Sequence, residues 1–217
     1  MRAVKTYKKS GLRAKKIPLL QKGAAIASAQ ATPAAPAKEL GFQDMLNYTV
    51  KKKGGKPAQY IELMNGISYH ETGAQQRMNP AAVQLVTKDG KLQPIGAGRG
   101  MFMFEVGDGM GGVTAVNRTV KELKDNNLPV PSWLNTLYTQ KSVDFSKLTA
   151  DQQRFLFLGN YLQHPKANFT KYIDGSMTAE DFWFNYHQAG GADVEQARRA
   201  AWQESQTERQ KPKPKKP

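Results

Sequence analysis

A glutamate on the apolar stripe of a helix is the residue best placed for chemistry in this chain. The positions at helical spacing are Tyr60, Met64, Ile67 and Glu71. Glu71 therefore extends the apolar face of its helix, which Gly73 is expected to end. Partial burial and the negative end of the helix dipole both favour the neutral acid over the carboxylate. Such an acid is what cleavage of a glycosidic bond requires. The alternative is a solvated glutamate at a frayed helix end.

The elements that must position Glu71 are mostly helical. Hydrophobic periodicity predicts helices over 42–52, 57–71, 113–124, a short segment from Ser132, 149–163, 178–188 and 192–204. After the second helix the pattern changes to a strand over 82–86, a hairpin turn over 88–91, and a further strand over 101–106. We therefore expect an α+β fold, mainly α, with one small antiparallel β-sheet.

Two of the helix predictions make specific claims about side chains. Thr149 is expected to cap its helix. Val194, Ala197 and Ala201 share one face of the last helix.

The net charge of +14 is concentrated at the ends of the 217-residue chain. Residues 1–40 carry +8 and residues 209–217 carry +5, which leaves +1 for residues 41–208. We predict a basic arm over 1–40, one domain over 41–208, and a basic Lys/Pro tail over 209–217. Because the domain is nearly neutral, an anionic partner such as DNA is expected to contact the ends and not the fold.

Four motifs occur in a fixed order along the predicted domain. They are Glu71–Gly73 (ETG), Met78–Val83 (MNPAAV), Gly98–Phe104 (GRGMFMF) and Asn185–Gly191 (NYHQAGG). In this order and spacing the chain resembles the lysozyme-like lytic transglycosylases, in the variant carried by phage virion proteins. That family combines a helix ending in a catalytic Glu, an Asn-Pro-x-Ala segment, a Gly-Leu-Met-Gln-like strand and a late Ala-Tyr-Asn-Ala-Gly motif. The resemblance covers about residues 57–200.

The resemblance implies a lysozyme-like fold and the cleavage of the MurNAc–GlcNAc β-1,4 bond of peptidoglycan. Glu71 would act first as acid and then as base, and the product would carry a 1,6-anhydro ring. Tyr186 would orient the sugar or Glu71. The remaining positions expected to bind substrate or support the site are Asn79, Gly100, Phe102, Met103 and Glu105.

Two departures from the family pattern leave alternatives open. Met103 stands where the family usually has a Gln that contacts the sugar, so a catalytically degenerate structural or binding protein is the main alternative. His187 and Gln188 interrupt the last motif. A hydrolase would need a second carboxylate at about 5–9 Å from the acid, for which Glu105 and Asp108 are the candidates.

Other kinds of site find little support in the sequence. The chain has no Cys, which excludes a disulfide scaffold and a thiolate metal site. The three His residues lack metal-ligand spacing and are expected to be surface or supporting residues. The run Gly96-x-Gly98-x-Gly100 lacks the strand and helix of a nucleotide loop. No cofactor and no metal are expected, and no apolar stretch is long enough to span a membrane.

The expected setting is a phage particle in which the enzyme opens the cell wall locally for genome ejection. The basic ends would bind other virion proteins or packaged DNA. The alternative is a cell-wall enzyme exported to the bacterial periplasm, which would require cleavage near Ala29.

Overall fold

The computed structural model describes residues 39–107, 109, 111–187 and 195–211. Most of the predicted basic arm and the tail beyond Lys211 lie outside these residues. So do Asp108, Gln188 and the rest of the last motif. The described part is mainly helical, which confirms the predicted α+β, mainly α class, but its strands form two small antiparallel sheets and not the one expected. None of its helices has the length and apolar character needed to cross a membrane.

The first two helices are α1 (Phe42–Lys53) and α2 (Pro57–Gln76). Pro57 occupies the first turn of α2, where a missing N–H costs nothing. The predicted stripe of α2 is confirmed, since Tyr60, Met64 and Ile67 are fully buried. The helix continues past the predicted end, but Gly73 interrupts it with φ +63° and ψ 179°.

Four short strands follow, in two antiparallel pairs. Strands β1 (Val86–Lys88) and β2 (Lys91–Gln93) form a hairpin, and β3 (Gly98–Arg99) pairs with β4 (Phe104–Glu105). The predicted strand over 82–86 is wrong. Backbone hydrogen bonds join Ala82 and Gln84 to the glycine segment 96–100, whereas Val86 pairs with Gln93. The apolar run is therefore divided at Leu85 between two partners.

The core is built around two helices that follow the sheets. They are α3 (Gly111–Asp125) and α5 (Ala150–Gln163), with α4 (Ser132–Tyr138) and a 3₁₀ turn (Phe145–Lys147) between them. The Thr149 hydroxyl accepts a hydrogen bond from the backbone N–H of Gln152, which confirms the predicted cap.

The C-terminal helices differ most from the prediction. The single helix expected over 178–188 is instead α7 (Ala179–Phe182) followed by a turn of π-helix (Trp183–His187). A short helix, α6 (Phe169–Ile173), precedes it and was not predicted. A π-turn widens the helix locally and changes the direction of the side chains that follow.

The last helix is α8 (Glu195–Gln210), and Val194 of the predicted apolar face lies outside the described residues. Ala197 and Ala201 are exposed, whereas Trp202 is buried. The helix includes Arg209, which the sequence placed in the tail and which pairs with Glu62. Small alanines suggested an apolar face, but one tryptophan buries more apolar surface than several alanines.

Candidate active site

The carboxyl group of Glu71 lies at the end of α2, two residues before the break at Gly73. Its side chain is 9% exposed, and Oε1 accepts a hydrogen bond of 2.7 Å from the indole Nε1 of Trp183. Thr72, the next residue, is buried, and its hydroxyl bonds the carbonyl of Ser68 and the N–H of Met78. The helix end and the loop after it are therefore tied together beside Glu71.

An imidazole approaches the same carboxylate oxygen. His187 Nε2 lies 3.6 Å from Glu71 Oε1, and the His187 side chain is 5% exposed. The same nitrogen is 2.7 Å from the carbonyl oxygen of Phe102. On the other side of the ring, Nδ1 is 2.5 Å from the hydroxyl of Tyr161. His187 thus links Glu71 to the loop after β3 and to helix α5.

Tyr161 is a neutral partner in this arrangement. Burial raises the pKa of its hydroxyl well above the ordinary value, and the negative charge of Glu71 adds to that effect. The hydroxyl therefore keeps its proton throughout the physiological range.

Aromatic side chains hold Trp183 in place. His70 contacts its ring edge-to-face, with centroids 4.3 Å apart, and Trp202 of α8 packs on it at 5.4 Å. His70 Nδ1 lies 3.0 Å from the hydroxyl of Ser205, also on α8. Burial lowers the pKa of His70, so the neutral ring is favoured. Helix α8 is thus part of the scaffold that fixes the donor to Glu71.

A cleft of about 310 Å³ opens over Glu71. Its polar lining includes Glu71, Gln84, Glu105, Arg118, Asn160 and Tyr186. A second hollow of about 430 Å³ shares Glu71 and Gln84 with it and continues along the end of α2 toward Leu92. An extended ligand could therefore lie across Glu71, with its two halves in the two hollows.

Three of the predicted residues line the cleft together with Glu71. They are Met103, Glu105 and Tyr186. Glu105 is exposed, in contrast to the nearly buried Glu71. Tyr186 packs its ring against Phe182 at 5.1 Å. The cleft thus holds one enclosed carboxyl group and one open to solvent.

The other predicted residues support the site from outside the cleft. Phe102 is fully buried, and only its carbonyl reaches the site, through His187. Gly100 has φ +74°, and a Cβ there would lie 2.4 Å from Gln153 Oε1, so the tight turn requires glycine. Asn79 is exposed, and its side chain accepts a hydrogen bond from the N–H of Ala81 in the loop after α2.

Sequence reasoning missed several residues of the site. His187 was expected to be a surface or supporting residue, and Trp183 was not among the predicted site residues. Trp183 is buried, and its N–H reaches Glu71. Tyr161, Arg118 and Gln84 were not singled out. Their contacts join residues far apart in the chain, so helical spacing could not reveal them. For His187 the signal was its place inside the last motif.

Within the described residues, no three His, Asp or Glu side chains converge in a way that could hold a metal ion. The polar groups that line the cleft are carboxyl, imidazole, hydroxyl, amide and guanidinium groups. Comparisons with protein-family models, with curated proteins and with solved structures found no match to this chain.

Proposed function

We propose that this protein is a peptidoglycan lytic transglycosylase that cleaves the MurNAc–GlcNAc β-1,4 bond. The observation that carries the proposal is the carboxyl group of Glu71, which is nearly buried and belongs to the lining of both hollows. A long glycan strand needs a groove that is open at both ends, and an acid at its middle meets the scissile bond. The order of the four motifs supports the same reaction.

In this mechanism Glu71 transfers its proton to the bridging oxygen, and the bond from that oxygen to the anomeric carbon of MurNAc breaks. The GlcNAc side leaves with a free hydroxyl, and the substrate's own N-acetyl group can stabilise the positive anomeric carbon. The C6 hydroxyl then attacks this carbon and gives its proton to the Glu71 carboxylate. The ring closes as a 1,6-anhydro sugar, Glu71 regains its proton, and no water is consumed.

The two routes differ in the number of carboxyl groups that they need. A hydrolase needs a second carboxylate that activates water or traps the cation. Glu105 is the other acid among the described residues that line the cleft, and it is open to solvent. Since the transglycosylase route needs one carboxyl group that first gives and later takes a proton, Glu71 alone suffices.

Mass spectrometry of digested, purified peptidoglycan tests the proposal. Wild-type protein should release anhydro-muropeptides, and Glu71→Gln should lower the rate by about 10²–10⁴-fold, the usual contribution of a general acid. Gln has the size of Glu and can still meet the Trp183 N–H, so the fold should be kept. Reducing MurNAc ends would refute the anhydro product, and an active Glu71→Gln would refute the role of Glu71.

The second candidate is a catalytically degenerate protein that binds glycan strands. Met103 favours it, because this residue lines the cleft where the family usually has a Gln. A protein of this kind would sediment with purified peptidoglycan but release no soluble product, and Glu71→Gln would leave the binding unchanged.

We also propose that the protein acts from a phage particle at the bacterial cell wall, with the basic ends contacting other virion proteins or packaged DNA. The charge distribution supports this, since the ends carry nearly all of the net charge of +14. DNA binding through the ends should weaken steeply with salt. A protein lacking residues 1–38 and 212–217 that bound DNA as tightly would contradict the assignment. Mass spectrometry of the mature N-terminus tests the alternative of export.

A further inference from the structure

Arg118 is a cation in the cleft that the proposed mechanism does not use. It stands on α3, is half-buried, and lines the same cleft as Glu71. Burial lowers the pKa of its guanidinium group, yet an arginine keeps its charge at every physiological pH. A charge that has lost part of its water is costly unless hydrogen-bond partners or an opposite charge offset the loss. The partners of Arg118 therefore decide what this group can do.

Among the described residues, the guanidinium of Arg118 bonds only Asn160, whose Oδ1 accepts from Nη1 at 3.1 Å. Arg199 on α8 shows the contrast, since three carboxylates lie within 3.1 Å of its guanidinium. A guanidinium carries five N–H donors. The remaining donors of Arg118 are not fully enclosed, so they are available to a ligand in the cleft.

The amide of Asn160 is the second donor of this arrangement. Asn160 stands on α5, is 4% exposed, and lines the same cleft. Its Oδ1 accepts from Arg118, and its N–H₂ group donates to no residue in the described part of the chain. The amide nitrogen is not fully enclosed either. Because nearly buried donors are normally paired, this amide indicates an acceptor that a ligand supplies.

The packing of α3 against α5 fixes both side chains. Thr119 follows Arg118 in the chain and is buried between the two helices. Its hydroxyl is 2.7 Å from the carbonyl oxygen of Ala115 and 3.3 Å from that of Leu156. Leu156 lies one turn before Asn160 on α5. The guanidinium and the amide are thus held together on the wall of the cleft before a ligand binds, which lowers the entropy cost of binding.

The two groups together fit a carboxylate. A guanidinium binds a carboxylate through two parallel N–H bonds, and the amide can add a third donor. In a glycan strand of peptidoglycan, the sugar that bears carboxylates is MurNAc. Its lactyl group, at C3, ends in a carboxyl group that is either free or attached to an acidic stem peptide, whereas GlcNAc lacks this group. C3 lies in the same ring as the anomeric carbon, so a site that binds the lactyl side chain belongs in the cleft of Glu71.

We propose that Arg118 and Asn160 bind a carboxylate of the muramyl side chain and so distinguish MurNAc from GlcNAc in the cleft. The inference rests on the proposed function, because its ligand is a peptidoglycan strand. The carboxylate belongs either to the lactyl group itself or to the stem peptide attached to it. Both sources present the same chemistry to the guanidinium and the amide.

Calorimetric titration of the full chain carrying Glu71→Gln tests the site, because this protein should bind its ligand without cleaving it. The probes are three oligosaccharides of equal length: peptide-free GlcNAc–MurNAc, the same strand with stem peptides, and chitin, which contains GlcNAc alone. Adding Arg118→Gln should weaken the binding of a carboxylated probe by about tenfold to a hundredfold, as expected for a hydrogen bond to a charged group. The affinity for chitin should change by less than about threefold. A loss with the peptide-free probe assigns the lactyl carboxylate, and a loss confined to the peptide-bearing probe assigns the peptide.

Arg154→Gln is the matched control. It also removes one positive charge, but Arg154 lies outside the residues that line the cleft and pairs with Asp151 at 3.4 Å. It should leave the affinity for all three probes unchanged. Asn160→Asp keeps the inference testable if Arg118→Gln does not fold. This nearly isosteric change places a carboxylate beside Arg118 that repels the ligand's carboxylate, so it should cause the same selective loss.

Three results would count against the inference. If Arg118→Gln and Asn160→Asp left the affinity for the carboxylated probes unchanged, or lowered the affinity for chitin equally, the inference would fail while the proposed function stands. If Arg118→Gln weakened the binding of a DNA oligonucleotide and of no glycan, the site would belong to nucleic acid. A wild type that released no product, together with a Glu71→Gln protein that bound none of the probes, would refute the proposed function and the inference with it.

Discussion

The indole N–H of Trp183 donates to Oε1 of Glu71 at 2.7 Å, which joins residues 112 positions apart in the chain. Trp183 stands at the start of the π-turn, and Glu71 stands at the end of α2. The contact gives the carboxyl group a fixed donor on a rigid, buried ring. A reacting group that is held in this way needs little structural reorganisation when the reaction begins.

Trp183→Phe should therefore lower kcat by roughly tenfold to a hundredfold, because small displacements of a reacting group are costly. The ring volume is largely kept, so KM should change little. Trp202→Phe is the control, since it shortens a second buried indole next to His70. Steady-state rates on purified peptidoglycan, with thermal unfolding of both variants, separate the two effects. Equal losses of kcat in the two variants would mean that packing, and not the N–H, matters.

Substitution of Glu105 distinguishes the transglycosylase reaction from hydrolysis. In a transglycosylase Glu105→Gln alters only the rim of the cleft, so kcat/KM should fall by less than about tenfold and the product should stay anhydro. In a hydrolase that uses Glu105 as its second carboxylate, the loss should reach at least about 10²-fold. Rates and product masses from one digestion decide between them.

Local periodicity predicted the part of the site that lies on one helix. The stripe from Tyr60 to Glu71 could be read from the sequence because α2 buries that face along its whole length. Trp183 and His187 could not be placed in the same way. They lie on a π-turn, whose residue spacing differs from that of an α-helix. The regular helix predicted over 178–188 therefore gives their side chains other directions than those observed.

The buried position of α8 could not be predicted from the sequence, for a different reason. The buried position is Trp202, and polar residues such as Ser205 and Gln206 complete the contact by hydrogen bonds to each other and to the backbone. The spacing of apolar residues in the sequence gives no information about such hydrogen bonds. These hydrogen-bond partners can be identified only from the structure, in which α8 packs against α2.

A buried carboxylate far from the cleft should control stability in acid. Glu122 on α3 is fully buried. Burial favours its neutral form, but hydrogen bonds from Lys52, Tyr48 and Gln163 outweigh it and lower the pKa of Glu122 below the usual 4.5. The unfolded chain then binds more protons in acid. The stabilisation is thus present above about pH 4.5 and is lost as the pH falls through the folded-state pKa.

Glu122→Gln should lower the free energy of unfolding at pH 7 by about 1.5–3 kcal/mol, the range for a hydrogen bond to a charged group. The difference from wild type should shrink as the pH falls below 4.5. Asp125→Asn is the control, because this exposed carboxylate pairs with Lys121 on the surface and should matter little at any pH. Urea unfolding over a pH series measures both. A constant difference for Glu122→Gln across the series would contradict the assignment.

Gly73 and Gly54 form a matched pair for testing how the end of α2 positions Glu71. Gly73 has φ +63° and ψ 179°, and Gly54, after α1, has φ +86° and ψ −168°. Both conformations are reached almost only by glycine. A Cβ at either position would meet no atom within 4 Å.

Alanine should therefore cost about 1–3 kcal/mol of stability at Gly73 and at Gly54, through backbone strain alone. Only Gly73→Ala should also lower kcat, by tenfold or more, because relief of the strain turns the helix end that carries Glu71. Comparable unfolding midpoints with a loss of activity confined to Gly73→Ala would support this role. A Gly73→Ala protein as active as Gly54→Ala would show that the site tolerates movement of the helix end.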